Sequence, residues 1–205
     1  MSGIKYYVLD CETTGLSVSQ HEMVEISIIR CEDKVQMTRH IVAEFPERAS
    51  LDALAITNKS LADLRVGSSK EEVVAECEEF FNQDGLTPGH RCIIAHNYSF
   101  DQRFLHALWD KCGKKFPANM FLDTIALTKL AAKQQGIVKP KTNLQAACDL
   151  FGIKKTATHH TAKMDTRNTY FLWKKLVEEI KVDYLPLIKS VPHGVDGDEE
   201  LDGNY

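Results

Sequence analysis

The stretch Ile4 to Leu16, IKYYVLDCETTGL, constrains the fold of this chain more than any other. Tyr6 to Leu9 is dense in β-forming residues and Thr13, Thr14 and Gly15 stop the run, so the pattern predicts a buried strand whose exit carries polar chemistry. Strand side chains alternate between faces, which puts Asp10 and Glu12 side by side and sends Cys11 the other way. Two carboxylates on one face repel unless a cation lies between them. Oxygen ligands on a rigid strand suit Mg²⁺ or Mn²⁺ better than zinc, which prefers His and Cys. On this stretch alone, a solvated strand end is the competing reading.

Composition sets the limits within which that strand must work. With 205 residues, 43% of them apolar, one core and one domain are expected, here residues 1–191. No run approaches ~20 uninterrupted apolar residues, and the N-terminus lacks a charged segment leading into an apolar one. The chain therefore reads as soluble and cytoplasmic, with no membrane partner. Its six cysteines include no C-x-x-C pair and sit mostly in apolar patterns, which favours reduced buried thiols over disulfides or a zinc site.

Charge is unevenly spread. Residues 1–84 carry 8 Lys and Arg against 16 Asp and Glu, whereas residues 111–163 carry 10 Lys against Asp123 and Asp149. A lysine-rich half beside an acidic metal site suits a phosphodiester substrate, although scattered lysines are also ordinary solvated surface.

Along the chain, Met23 to Arg30 and Val35 to Ala43 read as two more strands joined at Glu32 to Lys34, making an antiparallel meander with the first. Leu51 to Leu64 is expected as two short helical turns broken at Asn58. Ser69 with Glu72 forms a capping-box pattern for a helix to about Asn82. Arg91 to Ala95 reads as a core strand running into His96 and Asn97, with Asn97 as the cap of a helix through Leu108. Asp101 then falls in a first helical turn just after a strand, where open α/β sheets place ligands. It could equally serve only to complement a helix N-terminus. Met120 to Thr124 is expected as a short strand leading into a helix to about Lys133, Thr142 as the cap of a helix to Phe151, and Thr161 to Lys181 as one amphipathic helix. On that last helix Met164, Tyr170, Phe171, Trp173, Leu176, Val177 and Ile180 are the candidates for burial.

His160 precedes Asp165 by five residues, which on an ideal helix would point the two about 140° apart. They can converge only if His160 lies off the helix, in the loop; Thr156 to His160 is accordingly expected to be mobile before substrate binds. An imidazole with an ordinary pKa of ~6.5 can take a proton from water at neutral pH, and spacing alone leaves His159 as a rival.

Taken together, these pieces resemble the DEDDh branch of the DnaQ-like 3′-to-5′ exonucleases. The matching motifs are Val8-Leu9-Asp10-Cys11-Glu12-Thr13-Thr14-Gly15-Leu16, then Ala95 to Asp101 (AHNYSFD), then His160-Thr161-Ala162-Lys163-Met164-Asp165, which fits H-x-A-x-x-D. Leu144 to Ile153 looks like the family's helix before the histidine loop. This register selects His160 over His159.

The resemblance implies an α/β, RNase H-like three-layer fold with a mixed five-stranded sheet flanked by helices. It implies two divalent cations, Mg²⁺ or Mn²⁺, one held by Asp10, Glu12 and Asp165 and the second mainly by Asp10 with Asp101 assisting through water. His160 is the implied general base, and the implied product is a nucleoside 5′-monophosphate from a free 3′ end of single-stranded DNA. By position, Thr13 would meet the terminal 3′-hydroxyl, Leu16 and Phe100 the last bases, and His96 and Asn97 the strand path. Core packing is the competing role for Leu16 and Phe100. Thr166 departs from the small apolar residue common in relatives, without consequence for metal binding. Residues 192–205, PHGVDGDEELDGNY, have the composition of a disordered tail, and a tether to a DNA polymerase is one use for it. Two other readings stay open: an RNA-trimming enzyme of the same fold, and a non-catalytic nucleic-acid-binding scaffold. Competent residues at all five catalytic positions argue against the scaffold.

Overall fold

A computed structural model describes residues 3–154 and 161–190 of the chain. The expected meander is present: β1 (Lys5–Thr13), β2 (Met23–Arg30) and β3 (Gln36–His40) run antiparallel to their neighbours. On the other side of β1 lie β4 (Arg91–Ala95) and β5 (Met120–Asp123), both parallel to it. A two-residue strand, β6 (Lys189–Ser190), pairs antiparallel with β5, so the sheet has six strands in the order β3-β2-β1-β4-β5-β6 rather than five. The extra strand is too short to leave a periodic signature. The β3 strand is shorter than Val35 to Ala43 because, after Ile41, the Val42 and Ala43 N–H groups turn from β2 to Ser68 O and Leu64 O.

Alternation along β1 divides the interior in two. Tyr7, Leu9 and Cys11 pack with α2 (Lys70–Asn82) and α3 (Tyr98–Lys111), whereas Val8 packs with α4 (Thr124–Gln134), α5 (Leu144–Leu150) and α6 (Ala162–Lys174). This is the expected three-layer α/β arrangement. A shorter helix, α1 (Leu51–Thr57), lies near a small third cluster of Val24, Ala43 and Leu64.

Several local expectations hold, and others are corrected. Ser69 and Glu72 form the capping box. Asn143, not Thr142, caps α5 by accepting from Ala146 N–H, while the Thr142 carbonyl is engaged by His96. The helix expected to reach Lys181 is α-helical only to Lys174. From Lys175 to Glu179 its hydrogen bonds widen to a π pattern, with Ile180 N–H donating to Lys175 O. Phe171 is 51% exposed, because α6 turns Tyr170 and Leu172 inward and Phe171 to the outside. All six cysteines are free thiols, as expected. Among the described residues no helix is long and apolar enough to cross a membrane.

One polar knot fixes where β4 starts. Arg91 is fully buried; its guanidinium donates to both oxygens of Asp84 (Nη2–Oδ1 2.7 Å, Nε–Oδ2 2.9 Å) and to the carbonyls of Leu86 (2.6 Å) and Pro117 (3.0 Å). Tyr7 OH donates to the same carboxylate at 2.7 Å. Burial alone would raise the Asp84 carboxyl, but the hydrogen bonds from Arg91, Leu86 N–H and Tyr7 outweigh it and bring it down to about 2. The pair therefore stays ionised until strongly acid pH. Substituting Arg91→Ala leaves a buried carboxylate without its counter-ion and is expected to cost about 3–5 kcal/mol in urea denaturation at neutral pH. A loss below about 1 kcal/mol would show that the pair does not anchor the strand.

Candidate active site

Asp10 and Glu12 leave the sheet on the face of β1 that looks toward α6, as alternation requires. Asp165 comes from the first turn of α6, whose N-cap is Thr161 accepting from Met164 N–H. Ligand oxygens of Asp10, Glu12 and Asp165 all lie within 4.8 Å of one another. Asp165 is additionally held by Asn168, whose Nδ2 donates to Oδ1 at 3.3 Å.

Asp101 approaches from the opposite helical layer. It is buried at the start of α3, and its Oδ1 accepts from both the backbone N–H and the thiol of Cys11, each at 3.1 Å. Cys11, the residue that alternation sends away from the acidic pair, is thus what ties the fourth carboxylate to β1. The reading of Asp101 as a mere helix-end charge does not account for these bonds. The helix end is served instead by Asp123, whose carboxylate accepts from Asn97 N–H and Tyr98 N–H, each at 3.1 Å, and from Ile125 N–H of α4 at 2.8 Å.

The electrostatics of the cluster are those of like charges held together out of water. Burial pushes Asp10 well above the ordinary carboxylate range, and Asp101, Glu12 and Asp165 push it further. Burial, then Asp165 and Glu25, raise Glu12 to about 8. Burial raises Asp101 to about 7 even though the Cys11 bonds oppose the rise. Such a set takes up protons at neutral pH unless a cation replaces them. An all-oxygen donor set of this charge fits a hard divalent ion.

The residues expected to touch substrate are distributed around this cluster. Leu16 is 77% exposed and so is not core; Phe100 is half-buried and packs against Phe104. Both line a cleft of about 470 Å³ beside Glu12, with Thr13, His21, Ala53 and Ile56. Thr13 is buried and its hydroxyl donates to Gly15 O at 2.7 Å. Gly15 lies against the His21 ring, so closely that a Cβ would come 2.4 Å from it and force the ring aside. His96 is locked within the chain: Nδ1 meets Thr124 Oγ1 at 2.8 Å and Nε2 meets Thr142 O at 2.7 Å. Burial lowers its pKa, so it is a neutral ring donating from Nε2. Asn97 precedes α3 with φ 69°, and its side chain does not cap the helix as expected; its Oδ1 accepts from Ser99 Oγ at 3.2 Å. His160, His159 and the segment Thr156 to His160 lie outside the described residues, as do residues 191–205.

A family model described as exonuclease (RNase_T) matches residues 7–172, a span that contains the whole described cluster. The chain belongs to this exonuclease family. Within it, the DnaQ-like, RNase H-like character expected from the motifs holds. The chain is 27% identical over 177 residues to the PolC-type DNA polymerase III of Staphylococcus haemolyticus, a match covering 86% of this chain but only 12% of that protein. It thus spans about an eighth of the relative's length. Among solved structures, E. coli exonuclease I in complex with a dT13 oligonucleotide superposes with a TM-score of 0.71 at 18% identity, covering 86% of this chain and 41% of the other. A 3′-exonuclease solved for its recognition of the histone mRNA stem-loop gives 0.69 at 11% identity, covering 95% and 72%. At these identities the structural matches speak for the fold.

The raised carboxyls bear on stability in a definite direction. In the unfolded chain they ionise near 3.8 for Asp and 4.5 for Glu, before their folded counterparts, so their cost is absent below about pH 4 and grows as pH rises through about 7 for Asp101, about 8 for Glu12 and the raised range of Asp10. Cation-free protein is expected to melt lower at about pH 8.5 than at about pH 6, Asp10→Asn should flatten that slope, and added Mn²⁺ should raise the melting temperature more at the higher pH. A slope untouched by Asp10→Asn would show that the cluster is not the origin of the cost.

Proposed function

We propose that this exonuclease domain removes nucleotides from the 3′ end of single-stranded DNA, releasing nucleoside 5′-monophosphates. The observation that carries the reading is the convergence of Asp10, Glu12 and Asp165 within 4.8 Å beside a cleft lined by Leu16 and Phe100. Asp10, Glu12 and Asp165 would hold one divalent cation, and Asp10 with Asp101 a second, Mg²⁺ or Mn²⁺ in each case. Bound there, the ions supply positive charge for the attacking and leaving oxygens of an in-line displacement. The protein's own contributions are separate. Cys11 holds Asp101 in reach of β1. The exposed Leu16 and half-buried Phe100 give apolar surface on which any base can pack, which suits a sequence-tolerant enzyme. His160 is the proposed general base, taking a proton from the attacking water. Since the chain covers an eighth of its polymerase relative, work beside a DNA polymerase is likewise a proposal, as is a tethering role for residues 192–205.

RNA as substrate is the second reading. It is favoured by the likeness to the histone-mRNA 3′-exonuclease, which extends over 95% of this chain. The DNA and RNA readings call on the same proposed catalytic residues and differ at the 2′-hydroxyl of the substrate.

End-labelled single-stranded DNA and RNA of one sequence, digested with Mg²⁺ or Mn²⁺, separate the readings. Faster shortening of DNA from the 3′ end, abolished by excess EDTA, is expected; digestion that persists in chelator rules out the metal-dependent mechanism. Asp10→Ala is expected to stop turnover while the circular dichroism spectrum is kept. Wild-type cleavage by that variant would mean the site lies elsewhere. His160→Ala should slow single-turnover cleavage by roughly 10²–10⁴-fold with Mn²⁺ affinity retained. An unchanged rate would pass the base role to His159 or to solvent.

A further inference from the structure

The acidic face of the sheet holds one more carboxylate than the motifs account for. Glu25 is the cross-strand partner of Glu12 in the β1–β2 register, shares its face, and is only 1% exposed. A buried carboxylate directly opposite another is destabilising unless something compensates it. The compensation comes from Lys59, whose Nζ lies 3.0 Å from Glu25 Oε2 and whose side chain is 16% exposed. His40, the partner of Glu25 on β3, stands 3.7 Å from the same oxygen through Nδ1.

Backbone geometry delivers the lysine to this point. Helix α1 ends at Asn58 in the left-handed conformation (φ 53°), and Lys59 N–H turns back to Leu54 O at 3.1 Å. Lys59 also acts on Glu12, whose carboxyl it lowers against the rise caused by burial and by Asp165 and Glu25. An ammonium at this depth has two carboxylates within its influence, and only one of them belongs to the cation cluster.

We propose that Glu25 is a positioning residue that holds the Lys59 ammonium one strand away from Glu12, so that Lys59 offsets the buried charge of Glu25 without competing for the Glu12 carboxylate. The pair is neutral as a unit and leaves the charge of the Asp10, Glu12 and Asp165 cluster available to a divalent cation. The inference rests on the cation-binding reading of that cluster. It adds that removing Glu25 harms cation binding although Glu25 is not itself among the ligands.

The test measures Mn²⁺ binding to the full chain by calorimetry and by the electron paramagnetic resonance of free Mn²⁺, near pH 8. Wild type must bind first; if it does not, the cation-site reading fails and the pair is not the cause. The isosteric Glu25→Gln frees Lys59 to turn to Glu12, and Mn²⁺ affinity is expected to fall by about tenfold, equivalent to about 1.4 kcal/mol. Adding Lys59→Met to Glu25→Gln removes the competing ammonium and is expected to return affinity to within about threefold of wild type. A purely structural role for Glu25 would not be rescued in this way. Lys59→Met alone, which remains informative should Glu25→Gln fail to fold, is expected to bind Mn²⁺ at least as tightly as wild type. Equal affinity in wild type and Glu25→Gln, no recovery in the double variant, or weakened binding by Lys59→Met would each overturn the proposal.

Discussion

Mutual repulsion among clustered carboxylates, two of them buried and two half-buried, is the constraint to which the rest of this structure answers. Asp10 and Glu12 cannot separate, because one continuous strand carries them, and β1 cannot move, because β2 and β4 grip it from both sides. Asp165 arrives on a helix packed across β1 and β2, and Asp101 on a helix from the other layer, tied down through Cys11. Each support is bought with ordinary packing, and together they hold in place what electrostatics would disperse. The carboxyls of Asp10, Glu12 and Asp101 respond by shifting upward, chiefly through burial.

Much of this was legible in the sequence because it depends on local periodicity. The two-residue alternation of YVLDCE assigned Asp10 and Glu12 to one face and Cys11 to the other, and the structure follows it. The Ser69 capping box, the meander and the strand-to-helix step before Asp101 are likewise short-range patterns. What stayed hidden depends on register and on contacts distant along the chain. That Glu25 faces Glu12 requires the hairpin register, and that Lys59 reaches Glu25 requires knowing how α1 ends. Nothing near Asn97 announces that a carboxylate 26 residues later takes over its capping duty. The cap of α5 is Asn143 rather than the expected Thr142, whose carbonyl is held by a histidine 46 residues away in the chain.

The same distinction applies to the residues around the cleft. Sequence position grouped His96, Asn97, Phe100, Thr13 and Leu16 as one set, yet their surroundings differ in kind. Leu16 and Phe100 offer apolar surface to the cleft, whereas His96 spends both ring nitrogens on Thr124 and Thr142 and so stitches the ends of β4 and β5 to the approach to α5. A motif reports which residues recur together. It does not separate those that face outward from those that hold the scaffold still.

The placement of Asp123 carries a consequence for two helix starts at once. The amino ends of α3 and α4 open near the exits of β4 and β5, and helix starts of this kind ordinarily offer their N–H groups to phosphate. Here a single side chain occupies both, accepting from Asn97, Tyr98 and Ile125. With the N–H groups of Asn97, Tyr98 and Ile125 already engaged from within, these two helix starts are less open to an outside anion than helix starts ordinarily are, and one carboxylate locks the exits of two neighbouring strands together.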